Sequence, residues 1–264
     1  MLFPVPGLRS PVPIMRLYFI ALQFLTIIPL PFSVRCGEKD LGRSMALFPL
    51  VGLTLGGLLA ALDYLLSRVF PLPVTTLLLL TLITVVTGGL HLDGLADVCD
   101  GVAARGGRER FLAVMKDSHV GAIGVVGLVL GLLLKYEALL HLPLELRREA
   151  LLLFPMLARY SQVQMAVGSD RARSDGLGAL FTDGAGSLQL VIAGITTLAV
   201  AIPLLGLKGL NCFLAASLFT WVMKRWAHKR LGGITGDVIG CASELNEILC
   251  LLMLLAFAHT LEIR

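Results

Sequence analysis

After residue 43, apolar runs long enough to cross a bilayer alternate with short polar stretches along the whole chain. Seven such runs stand out, at about 44–66, 73–93, 118–141, 149–168, 186–206, 209–223 and 247–263. A hydrocarbon core of ~30 Å calls for about 20 helical residues, which most of these runs supply. Lipid offers no partner to a backbone N–H or C=O, so the runs are expected to be packed helices. The 209–223 run is short and follows a tight connection, which makes that pair the least regular. Upstream, residues 16–32 (RLYFIALQFLTIIPLPF) are apolar but end at Pro29 and Pro31. That length predicts an interfacial or re-entrant helix rather than a full crossing. Residues 1–15 are rich in proline, cannot form a continuous helix and show no cleavable signal pattern. The expected fold is all-α: a polytopic membrane bundle of about seven spans plus the N-terminal interfacial or re-entrant helix. One domain covers residues 1–264.

Composition agrees with this and adds a direction. Of the 264 residues 56% are hydrophobic types and 15% are charged, too few charges for a soluble chain of this size. The net charge of +4 is informative through its placement. Loops 33–43, 94–117, 169–185 and 224–246 hold 13 Lys and Arg, whereas 67–72, 142–148, 207–208 and Arg264 hold 5. The positive-inside rule puts the first set in the cytoplasm, and every polar motif of note lies in that set or at its border. The charge is thus a topological signal and not a nucleic-acid footprint. Cys36, Cys99, Cys212, Cys241 and Cys250 show no metal-ligand spacing and read as buried or idle thiols.

The richest polar stretch is GGLHLDGLADVCDGVAARGGRERFLAVMKDSHVGAIG, residues 88–124. Asp93, Asp97 and Asp100 stand at i, i+4 and i+7, within roughly 60° of arc on a helix. Three aligned carboxylates raise one another's pKa or require a cation. A hard divalent ion, with phosphate oxygens completing its shell, meets that requirement better than a plain solvated acidic face. Arg105, Arg108 and Arg110 follow, and Lys116-Asp117 precedes the next span. Basic groups opposite a metal site suit a phosphate-bearing substrate, although Arg108 and Arg110 read equally well as topology charges. Asp117 is open to three roles: N-cap, fourth metal carboxylate or base. His119 is a weaker acid–base candidate, and His91, off the Asp stripe, reads as a satisfied interior histidine.

Two charges fall inside spans. Lys135 lies near the non-cytoplasmic end and is expected to snorkel there. Arg159 is mid-span and requires an anionic substrate or a carboxylate partner. Later, SDRARSDGLGALFTDG (169–184) offers Arg171, Arg173, Asp175 and Asp183 between glycines, and KRWAHKRLGGITGDVIGCASELNE (224–247) adds Asp237, Glu244 and Glu247. Glycine-rich backbone leading into a helix makes a reasonable phosphate cradle.

HLDGLADVCDG with MKDSHVGAIG, then LGGITGDVIGCASELNE, resemble the cobalamin synthase family of adenosylcobinamide-GDP ribazoletransferases. The likeness extends to ALQFLTIIPLP, FPLVG at 48–52 and RSDGLG at 173–178, covering nearly all the chain from residue 16. The resemblance implies a Mg²⁺-dependent enzyme of the cell inner membrane, multi-pass, with its active face cytoplasmic. Such an enzyme joins adenosylcobinamide-GDP to α-ribazole or its 5′-phosphate and releases GMP. It also implies Asp93, Asp97, Asp100 and Asp117 as catalytic metal ligands, with Asp117 alternatively the base. Lys116, Arg105, Arg159, Arg173, Asp237 and Glu244 are the expected substrate or phosphate contacts. The bilayer is an expected partner; a second copy or other cobalamin-assembly enzymes are compatible ones. Cys99 and His119 depart from the family pattern, which favours a small residue and Arg there. Two alternatives come from the residues: a CDP-alcohol phosphotransferase of lipid synthesis, whose D-G-x2-A-R pattern is incomplete here, and a cation-coupled transporter, whose acids belong nearer the midplane.

Overall fold

The computed structural model describes residues 13–34, 36–37, 39–173 and 184–262. Asp175, Asp183 and most of the RSDGLG segment lie outside the described residues. Eleven α-helices run through the described residues: α1 (Pro13–Leu25), α2 (Asp40–Ser44), α3 (Phe48–Leu66), α4 (Leu72–Val86), α5 (Leu90–Ala103), α6 (Arg108–Val114), α7 (Ala122–His141), α8 (Leu144–Ala166), α9 (Ser187–Leu205), α10 (Leu207–Leu231) and α11 (Gly236–Glu262). A short 3-10 turn, Met45–Leu47, joins α2 to α3. Among the described residues the extended pairing is one isolated bridge between Arg171 and Ile234. The protein is a helical membrane protein.

Four segments are long and apolar enough to cross a bilayer: Asp40–Leu66, Ala122–His141, Ser187–Leu205 and Gly236–Thr260. This differs from the seven crossings expected, for two physical reasons. α8 has 23 residues, about 35 Å at ~1.5 Å each, so its length suffices. It lies inside the bundle, however, with Leu151 and the whole run Leu153–Val163 buried, and protein neighbours tolerate the charges that lipid would not. α10 likewise extends beyond the expected 209–223 to 25 residues, ending in the basic turn His228-Lys229-Arg230. The second difference is the run 73–93, which is two helices and not one; α4 and α5 are long and apolar enough to cross only together, as a bent pair. α4 stops at Val86, Gly88 and Gly89 take φ +62° and +68°, and α5 leaves at 89° to α4. Glycine adopts that left-handed backbone without the strain a side chain adds. The turn sets α5 at nearly a right angle to α4. α1, 13 residues long, is too short to cross, as expected.

Two apolar clusters fill the bundle. One, around Phe48, Val51, Leu95, Val98, Phe111 and Val238, lies under α5; the other, around Leu79, Leu139, Leu151, Phe154 and Leu251, lies at the opposite end. In lipid, apolar burial alone gives helices little reason to associate, so packing and polar pairs carry more of the specificity. Those pairs are present. Lys135 Nζ is 2.5 Å from both Glu244 Oε2 and Glu247 Oε2, and Arg159 pairs with Glu247 Oε1. Lys135 is only 3% exposed, so it does not snorkel. Two carboxylates of α11 neutralise it in place, while Arg159 has the carboxylate partner its position required. At the far end, Arg147 bonds Asp63 at 3.0 Å and Thr76 at 2.9 Å, tying α8 to α3 and α4.

Candidate active site

The turn after α4 determines what α5 presents. Ile27 donates to the Val86 carbonyl at 2.8 Å, bracing the turn from the segment after α1. His91, 4% exposed, faces inward, its Nε2 lying 2.9 Å from Gln162 Nε2, and Gln162 donates on to Ser243 Oγ at 2.8 Å. With His91 anchored to α8 and α11, the opposite face of α5 carries the acids outward. Asp93 and Asp97 line a cavity of about 700 Å³ between α5 and α7. Its mouth is polar, formed by Lys116, Asp117, Ser118 and His119; its inner wall is apolar, formed by Leu92, Ala96, Leu128 and Leu132.

Electrostatics single out Asp97. Burial, then the carboxylates of Asp237, Asp93 and Asp100, push its carboxyl up to about 7, against a smaller opposing effect of Arg173. Asp237, in the first turn of α11, thus belongs to the same acidic group, with Arg173 Nη1 3.9 Å from its carboxylate. Arg173 also donates to the Leu112 carbonyl at 2.7 Å. Asp100 turns elsewhere, accepting from the backbone N–H groups of Gly121 and Gly124, each at 2.7 Å. Asp117 is exposed at the cavity mouth, where it accepts from the His119 N–H at 3.0 Å and lies 2.7 Å from His119 Nδ1. Those bonds hold its carboxyl below the usual carboxylate range.

A family model described as cobalamin-5-phosphate synthase matches residues 17–255. The chain belongs to that family. A relative from Geotalea daltonii, named adenosylcobinamide-GDP ribazoletransferase, is 66% identical over 92% of this chain and 98% of its own length. Relatives of the same name from Acetivibrio thermocellus and Clostridium tetani are 37% and 31% identical, over 89% and 92% of this chain and 95% and 97% of their own lengths. No solved structure matches the chain.

For a member of this family the expected site residues other than Asp100, which turns to α7, fall into three groups. Asp93, Asp97, Lys116 and Asp117 line the cavity, and Asp237 with Arg173 adjoins them. Arg105 is exposed in the loop after α5 and does not line it. Arg159 and Glu244 are in the buried ionic group with Lys135 and Glu247, away from the cavity lining. Among the described residues no three His, Cys, Asp or Glu side chains converge as a ready-made metal shell. The donor chemistry nevertheless fits a hard cation, because the acids bordering the cavity are oxygen donors whose mutual repulsion a divalent ion would relieve.

The sequence left Arg108 open between a phosphate-facing group and a topology charge, and the structure gives it a bridging role. Its Nε donates to the Leu231 carbonyl at 2.5 Å and its Nη2 to the Ala172 carbonyl at 2.7 Å. It thereby joins α6, the end of α10 and the strand-like segment that carries Arg173. Partners so distant along the chain leave no signal in local spacing.

Proposed function

We propose that the chain transfers the adenosylcobinamide phosphoryl group of adenosylcobinamide-GDP to α-ribazole or α-ribazole 5′-phosphate, releasing GMP. The observation that carries this is the 66% identity, over nearly the full length of both chains, to the relative named for that activity. The cavity supports it. About 700 Å³ falls within the roughly 300–1,000 Å³ of small-molecule sites, and its apolar wall suits a flat heteroaromatic base while its polar mouth suits a ribose and a pyrophosphate.

In this reading a ribose hydroxyl oxygen forms a bond to the cobinamide-side phosphorus. The bridging P–O bond breaks, and GMP leaves with the bridging oxygen. Asp93 and Asp97, with Asp237 beside them, would hold Mg²⁺, which when bound supplies neutralisation of the pyrophosphate charge. Lys116 and Arg173 orient the phosphate oxygens. The hydroxyl proton passes to the Asp117–His119 pair, whose 2.7 Å contact fixes the imidazole at the mouth. The active face is cytoplasmic and the membrane is the cell inner membrane.

The test is GMP release by the detergent-purified protein from adenosylcobinamide-GDP with either acceptor, with CDP-diacylglycerol as a control. GMP formed only when acceptor and Mg²⁺ are both present supports the reading. Turnover of CDP-diacylglycerol, or no GMP with either acceptor, overturns it.

A further inference from the structure

We infer that Asp100 is a positioning residue that fastens the start of α7 to α5, and is not a ligand of the cation. The inference rests on the function proposed above. Residue Gly121 is the N-cap of α7 and has no side-chain oxygen to offer. An N-cap side chain ordinarily accepts from the N–H two or three positions on, satisfying a donor that the helix leaves orphaned. Here Asp100 delivers that oxygen from another helix. One carboxylate oxygen accepts from Gly121 N–H and the other from Gly124 N–H, both at 2.7 Å. A carboxylate is also favoured by the positive end of the helix dipole.

The packing around these bonds is closed. A Cβ at Gly121 would lie 2.4 Å from Asp100 Oδ1, and one at Gly124 would lie 2.3 Å from Oδ2. Any side chain at either position displaces the carboxylate, which gives these two glycines a specific role within the Gly-x-x-Gly pattern. Asp93 and Asp97 line the cavity, whereas Asp100 does not. What Asp100 holds is the opposite wall: α7 supplies Leu128 and Leu132, and the segment leading into it supplies Lys116, Asp117 and His119. The clasp therefore sets the distance between the acids and the groups facing them.

Amide hydrogen exchange at Gly121 and Gly124 tests this without reference to turnover. The full-length protein in detergent is compared with Asp100→Asn and Asp97→Asn, each with and without Mg²⁺. The expected result is that both amides are protected in the parent and exchange roughly five- to tenfold faster in Asp100→Asn, the size of a lost helix cap. Asp97→Asn and added Mg²⁺ leave them unchanged. Unaltered exchange in Asp100→Asn, or loss of protection when Mg²⁺ is added to the parent, overturns the inference. Kinetics give the second readout. Asp97→Asn raises the half-saturating Mg²⁺ concentration by about tenfold or more. Asp100→Asn lowers kcat with that concentration unchanged, and Gly124→Ala, which keeps the carboxylate, reproduces its behaviour. If Asp100→Asn does not fold, Gly124→Ala decides the question by the same exchange measurement. A parent protein that releases no GMP refutes the proposed function, while the exchange result stands or falls separately.

Discussion

Asp97 keeps its proton up to about 7 because burial and the carboxylates of Asp237, Asp93 and Asp100 oppose its charge. An unfolded chain relieves both effects and returns the group to its ordinary 3.8. Between those values the folded state binds more protons than the unfolded state, so stability falls as pH rises from about 4 to 7 and is level above that. Each tenfold change in proton affinity corresponds to ~1.4 kcal/mol, but solvent screening at a half-exposed carboxyl reduces the total to about 1–2 kcal/mol. Thermal melts of the metal-free protein in detergent should show Asp97→Asn more stable than the parent at pH 8 and equal to it at pH 4. Added Mg²⁺ should stabilise the parent at pH 8 and do far less for the variant. Equal melting of the two proteins at pH 8 would refute this account of Asp97. The pairing of Asp93 with Asp97 was legible in the sequence because i, i+4 spacing is local to one helix. Nothing local announced that Asp100 would turn to α7, or that Glu244 would pair with Lys135.

At the scale of helices, the ionic group of α7, α8 and α11 balances two cations, Lys135 and Arg159, against two anions, Glu244 and Glu247. Removing one member leaves an uncompensated buried charge, which costs on the order of 3–5 kcal/mol. Lys135→Met is therefore expected to lower the melting temperature strongly, and Lys135→Met combined with Glu244→Gln to recover most of the loss. A double variant no more stable than the single one would count against charge balance as the role of this group. Hydropathy found the apolar helices but gave no sign of the bend where two helices adjoin without a polar break, as at 73–93. Gly88-Gly89 was the available signal for that turn, and the apolar periodicity on either side concealed it. Hydropathy also gave no means of separating α8, encased in protein, from helices that face lipid.

For the whole molecule, the bias of 13 basic loop residues against 5 predicts that the loops around the cavity are cytoplasmic. Reporter domains fused after residues 105 and 235 should both read cytoplasmic, and one fused after residue 70 should read periplasmic. A periplasmic signal at 105 or 235 would break the single-face arrangement. α4 adds a further consequence. Its 15 residues extend only about 22 Å, some 8 Å less than a typical hydrocarbon core. A helix that short draws the bilayer thin or seats its end below the headgroups. Because α5 begins at that end, a crossing by α4 would seat the acids in a recess of the leaflet, and a soluble nucleotide would reach them through a dimple in the lipid surface.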